Sequence, residues 1–240
     1  MDSVIFTGLM VGGATIFGGA LGMLFRRIGR RANDFMLSFA AGVMLAAAII
    51  GLILPALEDG GALICVAGLF LGALMVNLMD LPLPHLLKRR EDDRLRKVCL
   101  FVMAIALHNL PEGVAAGVGL GTGDDRYGIM IALAIAMQNI PEGIIVAVAM
   151  RGVGVRRRRA VLISAMTGVI EIFGTVVGYI AAWVSAALLP LVLAIAGGTM
   201  LYVISEEMIP ESHSSEGRGS TYFLLFGFSF MLILNALLKN

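Results

Sequence analysis

Eight apolar runs of 17 to 25 residues occupy most of this 240-residue sequence. A helix needs about 20 apolar residues to cross the hydrocarbon core of a bilayer, so each run suits one crossing. Hydrophobic residues make up 59% of the chain and charged residues only 15%, which excludes a water-soluble domain. The sequence therefore predicts an all-α integral membrane protein with eight transmembrane helices, in a single polytopic domain over residues 1–240. The predicted spans are Val4 to Phe25, Phe35 to Leu57, Ala62 to Leu83, Val98 to Leu120, Ile129 to Met150, Ala160 to Val184, Leu188 to Ser205 and Tyr222 to Leu238.

The distribution of Lys and Arg predicts how these helices are oriented. Sixteen of the 18 basic residues fall in the segments after the first, third, fifth and seventh runs, and only Arg126 and Lys239 fall elsewhere. Since basic loops remain in the cytoplasm, both termini are predicted to be extracytoplasmic. The run Arg156–Arg159 is interpreted as part of this topological signal, so no nucleic-acid partner is expected.

Three carboxylates lie where ionisable groups are energetically costly. Glu112, Glu142 and Glu171 fall near the middle of the fourth, fifth and sixth runs. Each charge at the bilayer centre costs about 2.5 to 3.5 kcal/mol on insertion scales. A lone Asn or Gln at this depth often serves as a hydrogen-bonded brace between helices, but that explanation suits three carboxylates poorly. No Lys or Arg lies in the middle of any run, so we expect a cation from outside the chain.

A six-residue motif that contains two of these carboxylates occurs twice, thirty residues apart. The segment 108–113 reads His-Asn-Leu-Pro-Glu-Gly, and the segment 138–143 reads Gln-Asn-Ile-Pro-Glu-Gly. Residues i and i+4 share a helical face, so each Glu is predicted to lie beside the first residue of its motif. Each Pro lacks a backbone N–H, which predicts kinks in helices four and five at a midplane metal site. The final Gly would let a neighbouring helix pack closely.

The residue types indicate which cation is expected. An imidazole with carboxylates and amide oxygens favours a first-row divalent metal over Ca²⁺ or Mg²⁺, which prefer oxygen shells, and over Cu(I), which prefers sulfur. Zn²⁺ fits best, and Fe²⁺, Mn²⁺, Co²⁺ and Cd²⁺ remain open. Three carboxylates carry −3, so one divalent ion leaves −1 and two leave +1. Either two ions share the site or one carboxylate is protonated, which predicts proton-sensitive transport.

The doubled motif resembles the signature of the ZIP family of divalent metal transporters, which pairs related segments in the fourth and fifth helices. Stretches 38–44, 168–174 and 202–213 are also similar to that family, and the chain is most similar to its short prokaryotic members. The resemblance implies a multi-pass protein of a prokaryotic plasma or inner membrane. It implies transport of a divalent metal into the cytoplasm, with the metal as substrate, no enzymatic activity and no catalytic cofactor.

The resemblance also implies a transport site that can hold two metal ions, with Glu112 and Glu142 bridging them. Met44, on the second helix, matches a family position whose thioether approaches the metal. Many family members have His in place of Gln138, and some have Asp in place of Asn139, so binding here is expected to be weaker. The implied metal-binding residues are His108, Asn109, Glu112, Gln138, Asn139, Glu142, Glu171 and Met44.

A second polar group lies at the predicted cytoplasmic end of the seventh helix. Glu207, Glu211 and His213 could form an exit path for the metal, together with Asp80 and His85 at the same end of the third helix. Ordinary interfacial polar residues would explain this group equally well.

Other functions and assemblies remain open from sequence. A proton- or Na⁺-coupled cation exchanger also uses paired acidic helices. An intramembrane metalloprotease could use His108 and Glu112 as zinc ligands, but the chain lacks the motif His-Glu-x-x-His. Five of the six glycines in the first run, at positions 12, 13, 18, 19 and 22, suit internal packing or a homodimer. Besides metal ions, the expected partner is membrane lipid.

Overall fold

The computed structural model describes residues 2–25, 28–80, 93–121, 123, 125–184, 188–213 and 218–239. Every regular element in these ranges is helical, as the sequence predicts. The α-helices are α1 (Asp2–Leu21), α2 (Arg30–Ala48), α3 (Leu54–Asp80), α4 (Asp93–Gly121), α5 (Asp125–Gly152), α6 (Arg157–Val184), α7 (Leu189–Val203), α8 (Ile209–Ser212) and α9 (Gly219–Lys239). A 3₁₀ turn (Gly22–Leu24) follows α1, and π-helical turns join α2 to α3 (Ile49–Ile53) and α7 to α8 (Ile204–Met208).

Several helices begin before the apolar runs that predicted them. α2 begins at Arg30 rather than Phe35, α4 at Asp93 rather than Val98, and α6 at Arg157 rather than Ala160. Lys and Arg are good helix formers, so the backbone stays helical beyond the end of the apolar surface. The predicted end of the third span, residues 81–83, lies outside the described residues.

Seven helical stretches in the described ranges are long and apolar enough to cross a membrane. Six of them match predicted spans one by one, whereas the second and third predicted spans fall in one stretch of 49 residues, Arg30–Leu78. At 1.5 Å per residue this stretch is about 74 Å long, more than twice the thickness of the hydrocarbon core. A straight helix of that length does not fit one crossing.

Gly61 interrupts this long stretch. Its backbone angles, φ 75° and ψ 169°, are not helical, and Gly reaches positive φ without a Cβ clash. Of the two helices in this stretch, α2 packs mainly against α9, and α3, which contains the break, packs mainly against α7. Gly72 lies so close to α7 that an added Cβ would be 2.1 Å from the Ile195 carbonyl oxygen.

Four helices, α1, α4, α5 and α6, pack against one another. Close approaches between them occur at glycines of α1, where Gly12 meets Gly168 and Gly18 meets Ile140. A Cβ at either glycine would lie 2.2 Å from a carbonyl oxygen of the facing helix. Four of the five glycines that also suited a dimer, all except Gly13, therefore pack inside the protein. Outside this group, α2 contacts α5 and α7 contacts α4.

Two arginines bind the end of α1. The Arg151 guanidinium donates a hydrogen bond to the Met23 carbonyl oxygen at 3.3 Å and another to the Phe25 carbonyl oxygen. Arg157 also donates to Met23. The last carbonyl groups of a helix have no partner within the helix, and cationic side chains stabilise them. These basic residues therefore connect α1 to α5 and α6, in addition to the topological role predicted for them.

The surface carries large apolar side chains. Phe6, Leu63, Phe70 and Tyr222 are each at least 66% exposed, and the apolar part of α9 is only 17% buried. An apolar surface this extensive is unfavourable in water and suits contact with lipid acyl chains. The chain is accordingly a multi-pass membrane protein.

Candidate metal-binding site

The polar residues of the doubled motif lie in the interior of the helix group α1, α4, α5 and α6. Six carboxylate and carboxamide side chains there are at most 2% exposed. They come from α4, α5 and α6, the helices that match the fourth, fifth and sixth predicted spans. They are Asn109, Glu112, Gln138, Asn139, Glu142 and Glu171. His108 lies in α4, but its side chain is outside the described part of the structure, and Met44 is fully buried in α2.

The glycines that end the two motif copies, Gly113 and Gly143, allow neighbouring helices to approach closely. A Cβ on Gly113 would lie 2.2 Å from the Glu171 carbonyl oxygen of α6, and one on Gly143 would lie 2.2 Å from the Thr15 carbonyl oxygen of α1. The prediction that these glycines admit a closely packed helix is confirmed. The contact at Gly113 brings the backbone of Glu171 directly beside α4.

Glu171 accepts hydrogen bonds from three other helices. Its Oε1 accepts from the Thr15 hydroxyl at 2.7 Å and from the Asn109 amide nitrogen, and its Oε2 accepts from the Asn139 amide nitrogen at 2.6 Å. The Asn139 amide also donates to the Val11 carbonyl oxygen at 3.2 Å. An ionised carboxylate offers about four acceptor positions, so Glu171 retains about one.

Glu112 and Glu142 have different environments from Glu171. Gln138 Nε2 donates to Glu112 Oε1 at 2.8 Å, which links the two copies of the motif across α4 and α5. Gln138 and Glu142 lie four residues apart in α5, so this bond gives Gln138 a partner on another helix that the spacing alone did not predict. Neither oxygen of Glu142 accepts a hydrogen bond from a described residue.

Six buried oxygens of these residues have no hydrogen-bond partner among the described residues. In Asn109, Gln138 and Asn139 the amide nitrogen is used as a donor, so the amide oxygen is the group left over. The six are Asn109 Oδ1, Glu112 Oε2, Gln138 Oε1, Asn139 Oδ1 and both Glu142 carboxylate oxygens. Buried polar atoms are normally paired, so six acceptors in one region require an explanation.

The oxygens that could bind a metal ion in this region belong to two kinds of group, carboxylates and amides. Among the described residues, no group of three or more His, Cys, Asp or Glu side chains is placed to hold a metal ion. The acceptors without a described partner in this region are carboxylate and amide oxygens. Oxygen atoms of both kinds are ligands for divalent cations, and the amide oxygen is a neutral one.

The residues considered as a cytoplasmic exit path lie after the end of α7. Glu207 lies in the π-helical turn, and Glu211 and His213 are exposed. Both ring nitrogens of His213 have hydrogen-bond partners: Nδ1 lies 2.9 Å from the Ile209 carbonyl oxygen, and Nε2 lies 3.3 Å from the Thr221 hydroxyl. His213 thus connects α8 to α9. The side chain of Asp80 and all of His85 lie outside the described residues.

Sequence reasoning missed Thr15. Its side chain is completely buried in α1 and contacts Glu171 directly. One signal was available, because Thr15 is a polar residue near the middle of an apolar run, at the depth where the carboxylates were sought.

The fold and the site define a class: a helical, multi-pass membrane protein with buried acceptor oxygens in its interior that have no described hydrogen-bond partner. Comparison with known proteins gives the family. The family described as ZIP zinc transporter matches residues 89–235. The chain belongs to the ZIP family, whose members are transporters rather than enzymes, and this excludes the metalloprotease alternative.

Relatives extend the match over nearly the whole chain. Zinc transporter ZIPB of Bordetella bronchiseptica is 40% identical over 240 residues, covering 94% of this chain and 78% of its own length. Zinc transporter GufA of Myxococcus xanthus is 37% identical and covers 98% of both chains. Zinc transporter ZupT of an Enterobacter species is 32% identical over 97% of this chain and 95% of its own. This chain is accordingly a multi-pass protein of a bacterial cell membrane.

Proposed function

We propose that this protein transports divalent transition-metal ions, Zn²⁺ foremost, into the cytoplasm through the buried site of α4, α5 and α6. The observation that carries the proposal is the set of six acceptor oxygens in the protein interior that have no partner among the described residues. All six offer lone pairs, and no Lys or Arg lies in the middle of an apolar run to meet them. The three relatives described above are zinc transporters, which supports the same ion.

Glu142 is the principal metal ligand in this proposal, because both of its carboxylate oxygens are free of other described partners. Glu112 contributes Oε2, since its Oε1 is already bonded to Gln138. The amide oxygens of Asn109, Gln138 and Asn139, with the acceptor position that Glu171 retains, complete the oxygen ligands of the described residues. The imidazole of His108 and the thioether of Met44 are assigned by family resemblance. With Glu112 and Glu142 bridging, the site would hold two ions.

The proposed topology has eight crossings in a single domain, with both termini outside the cytoplasm. Residues 30–78 would cross twice, with the turn near Gly61, where the backbone leaves the helical conformation. Eight crossings place 16 of the 18 basic residues on one side of the membrane, which then faces the cytoplasm. Glu207, Glu211 and His213 lie on that side and would meet the ion as it leaves.

The test is uptake of ⁶⁵Zn²⁺ into proteoliposomes by Glu142→Gln and Glu112→Gln. Each substitution keeps the shape of the side chain and removes a charge from the ion's ligands. We expect uptake by either variant to fall to background while the protein still inserts in the membrane. Glu58→Gln is the matched control, because Glu58 is exposed in α3, and it should transport as the unmodified protein does. Normal uptake by Glu142→Gln would remove this site from the transport path.

A further inference from the structure

We propose that Thr15 of α1 is a positioning residue of the transport site, which acts by holding the Glu171 carboxylate and, through it, the amides of Asn109 and Asn139. This inference rests on the proposed function and assigns a role to α1, which provides none of the proposed metal ligands. The Thr15 hydroxyl donates to Glu171 Oε1 at 2.7 Å, and both residues are completely buried.

The bond made by Thr15 is unusual among the buried threonines. Thr167, Thr175 and Thr199 donate to carbonyl oxygens three or four residues earlier in their own helices. For Thr15 the carbonyls three and four residues earlier belong to Gly12 and Val11, and the Val11 oxygen already accepts a hydrogen bond from Asn139. The Thr15 hydroxyl has a single proton to donate, and it is donated to another helix.

The packing of the helices fixes both ends of this hydrogen bond. Gly143 of α5 lies against the backbone of Thr15, and Gly113 of α4 lies against the backbone of Glu171. The two copies of the motif therefore hold α1 and α6 in equivalent ways. α6 carries the carboxylate of Glu171, and α1 carries the Thr15 hydroxyl that donates a hydrogen bond to it. Each helix backbone is held too closely for this pair to drift apart easily.

Thr15 would affect ion binding through the side-chain amides of Asn109 and Asn139. Both N–H groups of Asn139 are used, one by Glu171 and one by Val11, so its oxygen is held in a fixed direction. Asn109 is also held through its amide nitrogen by Glu171. The amide oxygens that remain unpaired are thereby fixed before the ion arrives, which lowers the cost of ordering them during binding. Without the Thr15 hydroxyl, only the two amides hold the Glu171 carboxylate, so the carboxylate and both amides are less restricted in orientation.

The test compares Thr15→Val, which keeps the shape and removes the hydroxyl, with Thr15→Ser, which keeps the hydroxyl. Zinc uptake into proteoliposomes is measured over a range of Zn²⁺ concentrations. A hydrogen bond to a charged group is strong enough that its loss should raise KM by about tenfold in Thr15→Val. We expect the maximal rate to stay within about twofold, because the bridging carboxylates are unchanged, and Thr15→Ser to restore KM to within about twofold.

Thr199→Val is the matched control, since Thr199 is also buried but bonds within its own helix. An equal KM in Thr15→Val and Thr199→Val would overturn the proposal. A fall in maximal rate with no change in KM would also overturn it, as would failure of Thr15→Val to reach the membrane. Either result would mean that Thr15 stabilises the fold and does not position the transport site. If Glu142→Gln is inactive while Thr15→Val is normal, the transport site stands and only the role of Thr15 fails.

Discussion

Replacing Gly143 by Ala should separate α1 from α5 and disturb the site without touching a proposed ligand. A Cβ built on Gly143 would lie 2.2 Å from the Thr15 carbonyl oxygen and 2.8 Å from the Gly19 backbone nitrogen. Both neighbours are backbone atoms, so a change of rotamer cannot relieve the overlap. Since an ordinary carbon–oxygen contact is about 3.3 Å, α1 must retreat by about 1 Å.

That retreat reaches the site through Val11. Asn139 Nδ2 lies 3.2 Å from the Val11 carbonyl oxygen, and a further displacement of about 1 Å takes the pair beyond hydrogen-bonding distance. The overlap costs about 1 to 3 kcal/mol of stability, and the lost hydrogen bond costs about 1 kcal/mol. We expect zinc uptake to fall by about tenfold or more, and the Tm of the purified protein to fall by several degrees.

Gly13→Ala is the control for this change. It adds the same methyl group to α1, where a Cβ at Gly13 would meet no atom within 4 Å. Both variants are assayed by ⁶⁵Zn²⁺ uptake and by thermal unfolding in detergent. Gly13→Ala should behave as the unmodified protein does. Equal uptake and equal Tm in the two variants would refute the argument that close packing of α1 positions the site.

Two further substitutions test the ligand assignments. Asn139→Asp replaces a donor to Glu171 by a second carboxylate, so the metal-free protein should have a lower Tm. Saturating Zn²⁺ should raise the Tm of this variant more than it raises that of the unmodified protein. An equal increase of Tm with Zn²⁺ in thermal unfolding would contradict the assignment. Gln138→His supplies a stronger nitrogen ligand, so uptake kinetics should show a lower KM for Zn²⁺ together with a lower maximal rate, and an unchanged KM would show that residue 138 does not contact the ion.

The residue types of the doubled motif and their positions near the centres of the apolar runs were sufficient to predict that these polar residues are buried. Asn109, Glu112, Gln138 and Glu142 lie in α4 and α5, and Glu171 lies in α6, as expected from charges placed near the centres of apolar runs. This part is predictable because the cost of a charge in lipid rises toward the bilayer centre, so a carboxylate there is expected to face the protein interior. Depth does not depend on how the helices pack.

The hydrogen-bond partners could not be predicted, because they depend on the rotation and spacing of the packed helices. Helical periodicity places Gln138 beside Glu142, yet Gln138 donates across to Glu112 at 2.8 Å. The three carboxylates shared one depth and looked equivalent, whereas Glu171 has three donors and Glu142 has no described partner. A threonine in an apolar run likewise carries no sign of which helix it will face.

The most direct test of the central claim is the position of zinc in crystals of the purified protein grown with Zn²⁺. Anomalous difference density measured at the zinc edge locates the ion independently of any assumption about ligands. The account predicts a peak within about 2.0 to 2.2 Å of carboxylate oxygens of Glu142 and Glu112, absent from crystals of Glu142→Gln. Zinc bound only at surface residues, with no peak between α4 and α5, would contradict it.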